Sequence, residues 1–272
     1  MPDFTTSDGL RLHYEDRGEG SPLLCLSGLT RNSTDFDYLA PHLDGARMIA
    51  LDYRGRGRSD WADPATYTVP VEARDAVELL NHLGLDRVPV IGTSRGGLIA
   101  MLLALTVKDR LSGVCLNDIG PEIAPAGLDV IKGYVGRNPA QKTYEEAVTA
   151  RATLLAGFEG VPESRWREEV EKHYVEGEDG LAINYDPDLA KAVAGDGAEP
   201  APDLWPWFDA MANLPLACIR GANSDLLSPA TLAEMRRRRP DMIVAEVPGR
   251  GHVPFLDEPQ ALEAIAAWRS RL

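Results

Sequence analysis

The run VIGTSRGGLIA, residues 90–100, decides how this chain folds. It starts as a continuous apolar strand, breaks on glycine, presents Ser94, and continues as an apolar helix. Gly92, Ser94 and Gly96 fit the pattern G-x-S-x-G, for which a chain of this composition gives roughly 0.1 chance matches. The pattern has a steric reason. A serine on a sharp strand-to-helix turn sits on a strained backbone, so the residues two positions either side must lack side chains. Gly97 then lets helix and strand approach closely. At the start of a helix, Ser94 also lies where backbone N–H groups favour a developing anion. The competing reading is a glycine-rich turn with an incidental serine.

The blocks around this run alternate. LRLHYED (10–16) alternates apolar and polar like a half-exposed strand. LLCLSG (23–28), MIALD (48–52), VPVIGT (88–93) and LSGVCLND (111–118) are short apolar runs suited to strands covered on both faces. Between them STDFDYLAPHL (33–43), VPVEARDAVELLNHLG (69–84) and RGGLIAMLLALTV (95–107) are read as helices. The alternation resumes with PLACIRG (215–221) as strand, SPATLAEMRRRR (228–239) as helix, MIVAEVP (242–248) as strand and EPQALEAIAAWRSRL (258–272) as helix. This order predicts an α/β fold, a mainly parallel sheet with helices on both faces. Residues 121–213 carry helix candidates, TYEEAVTARATLLAG (143–157) and PESRWREEVEKHYVEG (162–177), but no buried strand pattern. The expected division is a core of 1–120 and 214–272 with a helical lid of 121–213 over the crevice at the strand ends.

Composition bounds the function. The 272 residues carry a formal net charge of −14, which opposes nucleic acid and anionic membrane as partners. The run Arg236–Arg239 is read as a solvated helix end rather than a phosphate patch. Cys25, Cys115 and Cys218 lie in apolar stretches without metal-ligand spacing, and read as buried strand thiols. No basic-then-apolar leader and no membrane-length apolar run is visible, so a cytoplasmic protein is expected. No metal or organic cofactor is called for.

A serine hydroxyl needs a base and an orienting acid to act as a nucleophile at neutral pH. Of the five histidines, His252 follows a strand in the glycine-rich turn PGRGHVPF, at the sheet edge where Ser94 should project. Asp225 follows the strand PLACIRG and precedes His252 by 27 residues, about one helix plus one strand. Neighbouring parallel strands would bring them together. Asp118, at the end of LSGVCLND, is a second candidate acid; the flanking sequence favours Asp225. Asp52 and Arg54 are read as structural.

With Ser94, Asp225 and His252 in this order, the chain resembles the α/β-hydrolase superfamily over nearly its whole length. The matching pieces are SGLTRNSTDF (27–36), DYRGRGRSD (52–60), GTSRGG (92–97), GANSDLLSP (221–229) and GRGHVPFLDEP (249–259). The resemblance implies an eight-stranded sheet, a helical lid, hydrolysis through an acyl-enzyme, and an oxyanion hole from the backbone N–H groups of Leu29 and Arg95. One departure is Ser27-Gly28, where the family commonly has His-Gly.

The expected substrate is a small-molecule carboxylic ester or lactone. The aspartate used at the elbow by haloalkane dehalogenases and epoxide hydrolases is absent, and Val253 stands where ring-cleavage C–C hydrolases commonly carry Trp. Enol-lactone or C–C hydrolysis on the same residues, and a non-catalytic hydrolase-like receptor, are the alternatives. Arg31, Arg95, Asp118, Trp61 and Val253 are candidate substrate contacts, with Arg31 and Arg95 suited to a substrate carboxylate. Trp205, Trp207 and Phe208 either line the pocket or pack the lid onto the core.

Overall fold

The computed structural model describes residues 2–155, 157–194 and 202–272. The first half runs β1 (Asp3–Thr5), β2 (Arg11–Arg17), β3 (Ser21–Leu26), β4 (Ala46–Leu51), α1 (Val69–His82), β5 (Val88–Thr93), α2 (Arg95–Thr106) and β6 (Leu111–Asn117). The middle holds α3 (Pro125–Tyr134), α4 (Tyr144–Leu154), α5 (Glu163–His173), β7 (Tyr174–Gly177), β8 (Gly180–Ile183) and α6 (Leu189–Ala194). After these come α7 (Trp205–Asp209), β9 (Leu216–Gly221), α8 (Pro229–Arg238), β10 (Ile243–Val247) and α9 (Pro259–Arg269).

Eight strands form one sheet in the order β1-β2-β4-β3-β5-β6-β9-β10. From β4 to β10 neighbouring strands are parallel, while β1 and β2 join antiparallel at one edge. The fold is therefore α/β, with the mostly parallel eight-stranded sheet that the sequence leads one to expect. The strand period of two sorts its residues onto opposite faces. Leu24, Leu26, Val90, Val114 and Leu116 pack with Leu79 of α1, Ile99 and Met101 of α2 and Met235 of α8. Leu23, Cys25, Ile91, Cys115 and Ile219 pack on the other face with Ile265 and Trp268 of α9. The three cysteines are free and buried. Burial pushes all three thiols upward, that of Cys115 to about 12, so none offers a thiolate at neutral pH.

Three sequence expectations change. Residues 33–43 form two short 3-10 turns, Ser33–Phe36 and Ala40–His42, rather than one helix. Pro41 lacks the N–H that would continue an α-helical ladder and crowds the preceding turn. The middle segment contains the hairpin β7–β8, whose residues are mostly exposed or half-buried and so leave no buried-strand pattern. Finally, α7 packs on α2, and Phe208, Met211 and Leu214 lie in the main core. The chain from Trp205 onward therefore packs with the core, whereas residues 121–213 are expected as lid. Within that span, residues 156 and 195–201 lie outside the described residues.

The turn between β5 and α2 is built by exclusion. A Cβ on Gly92 would stand 2.5 Å from the Gly96 carbonyl oxygen and 2.6 Å from the Gly97 nitrogen. One on Gly96 would run into the Leu26 carbonyl oxygen of β3, and one on Gly97 into Ile119 Cγ2. Alanine normally stabilises a helix by about 0.5–1 kcal/mol over glycine. At Gly96 the sign should reverse: Gly96→Ala is expected to lower stability by about 1–3 kcal/mol through overpacking, read from the urea midpoint at unchanged slope. An unchanged or higher midpoint would contradict the close packing of this turn.

Candidate functional site

Ser94 sits at the tip of the turn with φ 50° and ψ −114°, a strained conformation of the kind that persists where the surroundings over-determine it. Its N–H donates to the Asn117 carbonyl oxygen at 2.9 Å, tying the tip to the end of β6. The Ser94 Oγ lies 3.0 Å from His252 Nε2, and His252 Nδ1 lies 2.7 Å from Asp118 Oδ2. The ring therefore bridges a hydroxyl and a carboxylate, with the Nδ1–H tautomer assigned from the acidic partner.

The carboxylate that meets His252 is that of Asp118, and this corrects the preference for Asp225. Asp225 is exposed, and Asp118 is fully buried. Both follow a strand's C-terminal end, β9 and β6, and these strands are neighbours. What separates them is backbone shape and donors. Asp118 has φ 55°, and its carboxylate accepts from the Gly221 N–H at 2.8 Å, from the Ser224 hydroxyl at 2.6 Å and from His252. Asp118 is thus no substrate contact. Ser224, which the sequence reading missed, is the neighbour of the residue that reading chose. Its Oγ also accepts from the Leu226 and Leu227 N–H groups at 3.2 Å each, which aims its proton at Asp118.

Of the two backbone groups implied for the oxyanion hole, Arg95 adjoins Ser94, and Leu29 lies on the loop whose Ser27 carbonyl accepts from the Gly96 N–H. Among the described residues, neither the Leu29 N–H nor the Arg95 N–H donates a hydrogen bond within the protein. Their residues are braced by one buried ion pair. Arg56 donates through Nε to the Leu29 carbonyl oxygen at 2.9 Å, and its Nη2 lies 2.8 Å from Glu72 Oε1. Arg95 Nε donates to Glu72 Oε2 at 2.5 Å and its Nη2 to the Tyr67 carbonyl oxygen at 2.9 Å. The Arg95 side chain is spent on this brace, which removes it from the candidate substrate contacts. Tyr53 Oη donates to the Ser27 carbonyl oxygen at 3.1 Å, steadying the same loop where Ser27-Gly28 stands.

The other sequence-predicted contacts divide. Val253 is buried and lines a small cavity with Arg31, Thr93, Asn117 and Phe255. Arg31 lies against Gly28 and donates through Nη1 to Asp35 at 2.9 Å and Glu169 at 3.4 Å. Trp61 is 59 % exposed. Phe208 is core, and Trp205 packs on it while donating through Nε1 to Glu122. Asp52 and Arg54 hold the chain together: Asp52 accepts from the Ser33 and Arg58 N–H groups, and Arg54 pairs with Asp75 and Asp8. Of the four-arginine run, Arg237 and Arg238 pair with Glu234, and Arg239 caps the Met211 and Leu214 carbonyls. Among the described residues no three His, Cys, Asp or Glu side chains gather as a metal site, and no helix is long and apolar enough to cross a membrane.

The segment around α5 packs on the loop that follows His252. Phe255, three residues beyond His252, packs with Phe158 and with Trp166 of α5. Arg165 of α5 lies 3.6 Å from the Tyr38 ring centroid and pairs with Asp257. The loop that carries His252 is therefore clasped by α5 and the chain leading into it.

Comparison with known proteins agrees with this architecture. The family model described as alpha/beta hydrolase fold matches residues 21–259. The 3-hydroxybutyrate-oligomer hydrolase of Cupriavidus necator is 38% identical over 94% of this chain and 91% of its own. The 2-(acetamidomethylene)succinate hydrolase of Mesorhizobium japonicum is 29% identical over 89% of this chain and 85% of its own. A solved alpha/beta hydrolase from Novosphingobium aromaticivorans superposes with a TM-score of 0.92 at 40% identity, covering 100% of this chain and 98% of that one. With a strained serine elbow, a bridging histidine and a family match that runs from β3 to the start of α9, the chain belongs to the alpha/beta hydrolase fold family.

Proposed function

We propose that this hydrolase cleaves a carboxylic ester through an acyl-enzyme on Ser94, with His252 as the base and Asp118 as the orienting acid. The observation that carries the reading is the His252 ring, 3.0 Å from the Ser94 Oγ and 2.7 Å from Asp118. In the first half-reaction His252 Nε2 takes the Ser94 proton as Oγ attacks the ester carbonyl carbon. Asp118 holds the imidazolium that results. The tetrahedral oxyanion accepts from the free N–H groups of Leu29 and Arg95, donors of a kind worth about 3–4 kcal/mol each in the transition state. Collapse expels the alcohol, which leaves with the proton from His252. Water, deprotonated by the same nitrogen, then attacks the acyl carbon and restores Ser94.

The relatives support an ester carrying a free acid. Hydroxy acids oligomerise through ester bonds, and one relative is by name a hydrolase of 3-hydroxybutyrate oligomers. Another is by name a hydrolase of a substituted succinate. Short linear 3-hydroxyacid oligomers are therefore the first substrate class to test, ahead of lactones.

An activated ester should release a burst of p-nitrophenol equal to the enzyme concentration, whereas a receptor that only binds would give saturation without a burst. Ser94→Ala should lose at least about 10⁴-fold in kcat; full retained activity would sink the serine mechanism. Asp118→Asn should cost about 10⁴-fold by presenting the ring with the wrong partner, and Asp225→Asn should stay within about twofold, since surface changes rarely matter. The opposite ranking of the two aspartates would return the acid role to Asp225.

A further inference from the structure

In the segment between α3 and α6, a second cation lies within electrostatic reach of Arg31. Arg151 belongs to α4. Among the described residues its guanidinium makes no hydrogen bond and no ion pair, and its Nη1 is sealed from solvent without a partner. The Tyr174 ring lies 5.9 Å away. Burial pushes the guanidinium below its ordinary range; Glu169 pulls it back up, and Arg31 pushes it down again. The same burial and the same two arginines lower His173, which therefore adds no third positive charge at neutral pH. The two carboxylates present, Asp35 and Glu169, are both held by Arg31 Nη1. Arg31 is thus satisfied and Arg151 is not. A guanidinium nitrogen sealed from water without a partner calls for an acceptor.

The position ties this demand to the reacting centre. Arg31 follows Leu29 by two residues, and its stem lies 3.3 Å from where a Gly28 Cβ would be. Beyond α4 the chain returns to the His252 loop, where a Cβ on Gly157 would stand 3.1 Å from Gly251 Cα. Arg151 thus lies on the helix that leads into this contact, within electrostatic reach of Arg31. We propose that Arg151, with Arg31 beside it, binds a free carboxylate carried by the ester substrate, so that the enzyme selects acidic esters over neutral ones. A singly charged planar carboxylate matches the arginine fork. A phosphate dianion would meet Asp35 and Glu169 at twice the charge.

This inference rests on the hydrolase reading above, and the test keeps the two apart. The probes are the linear dimer of 3-hydroxybutyrate and its terminal carboxamide, of the same shape without the charge. The readout is the ratio of kcat/KM for acid over amide, with hydroxybutyrate release followed by chromatography. The wild type should favour the acid by at least about tenfold, through KM. Arg151→Gln should bring the ratio to near one, and Arg151→Lys should restore part of it. A wild-type ratio near one, or an Arg151→Gln ratio equal to the wild type's, overturns the proposal; the latter includes an equal loss on both probes, which marks a structural role. Ser94→Ala serves as the control. If it still cleaves both probes, the hydrolase reading itself has failed, whatever Arg151 does.

Discussion

The site depends on how closely two backbones can approach. Ser94 is held at a strained φ of 50° because β3, β5 and the first turn of α2 meet with no side chain between them. Gly96 donates its N–H to the Ser27 carbonyl oxygen, and its α-carbon faces the Leu26 carbonyl. That contact couples the serine tip to the loop that begins at Ser27 and carries Leu29. The hydroxyl and the two free N–H groups are therefore parts of one packed junction. Strain at such a point persists only because the sheet beneath is buried on both faces.

Buried charge does the remaining positioning. Arg56 and Glu72 are both fully buried, as are Arg54 and Asp75. Such pairs add little net stability, because desolvation offsets their attraction. Their value here is geometric. Arg56 grips the Leu29 carbonyl while Glu72 grips the Arg95 side chain, so a single ion pair ties the Leu29 loop to the residue after Ser94. Asp118 follows the same logic on the other side of the serine. Three donors from two segments converge on it, and a carboxylate so surrounded has one place to stand.

The segment around α5 is bound to the core by aromatic and cationic contacts rather than by the sheet. Phe158, Trp166 and Phe255 share one cluster, and Arg165 stacks on Tyr38 and Phe255. The loop of His252 is part of that clasp. Arg31 on the core side and Arg151 on α4 lie within electrostatic reach of each other near this clasp.

Much of this was written in local pattern. Apolar runs such as VPVIGT and LSGVCLND announced buried parallel strands because a strand covered on both faces has no polar face to show. The spacing of Gly92, Ser94 and Gly96 announced the elbow because the steric demand is local. His252 was legible from its glycine-rich turn after a strand. The acid was not. Asp118 and Asp225 each follow a strand, and the flanking sequence favoured Asp225, the one that does not meet His252. The register of β6 against β9, pairing Asn117 with Ile219, together with the left-handed turn at Asp118, sent one carboxylate to the histidine and left the other in solvent. The fate of Arg95 was settled in the same way, by Glu72 arriving from α1, and Arg151 drew no notice because nothing in its own helix marks it. Local sterics and periodicity act between neighbours in the chain and can be read there. Which buried charges find partners depends on contacts between distant segments, and only the packed structure decides it.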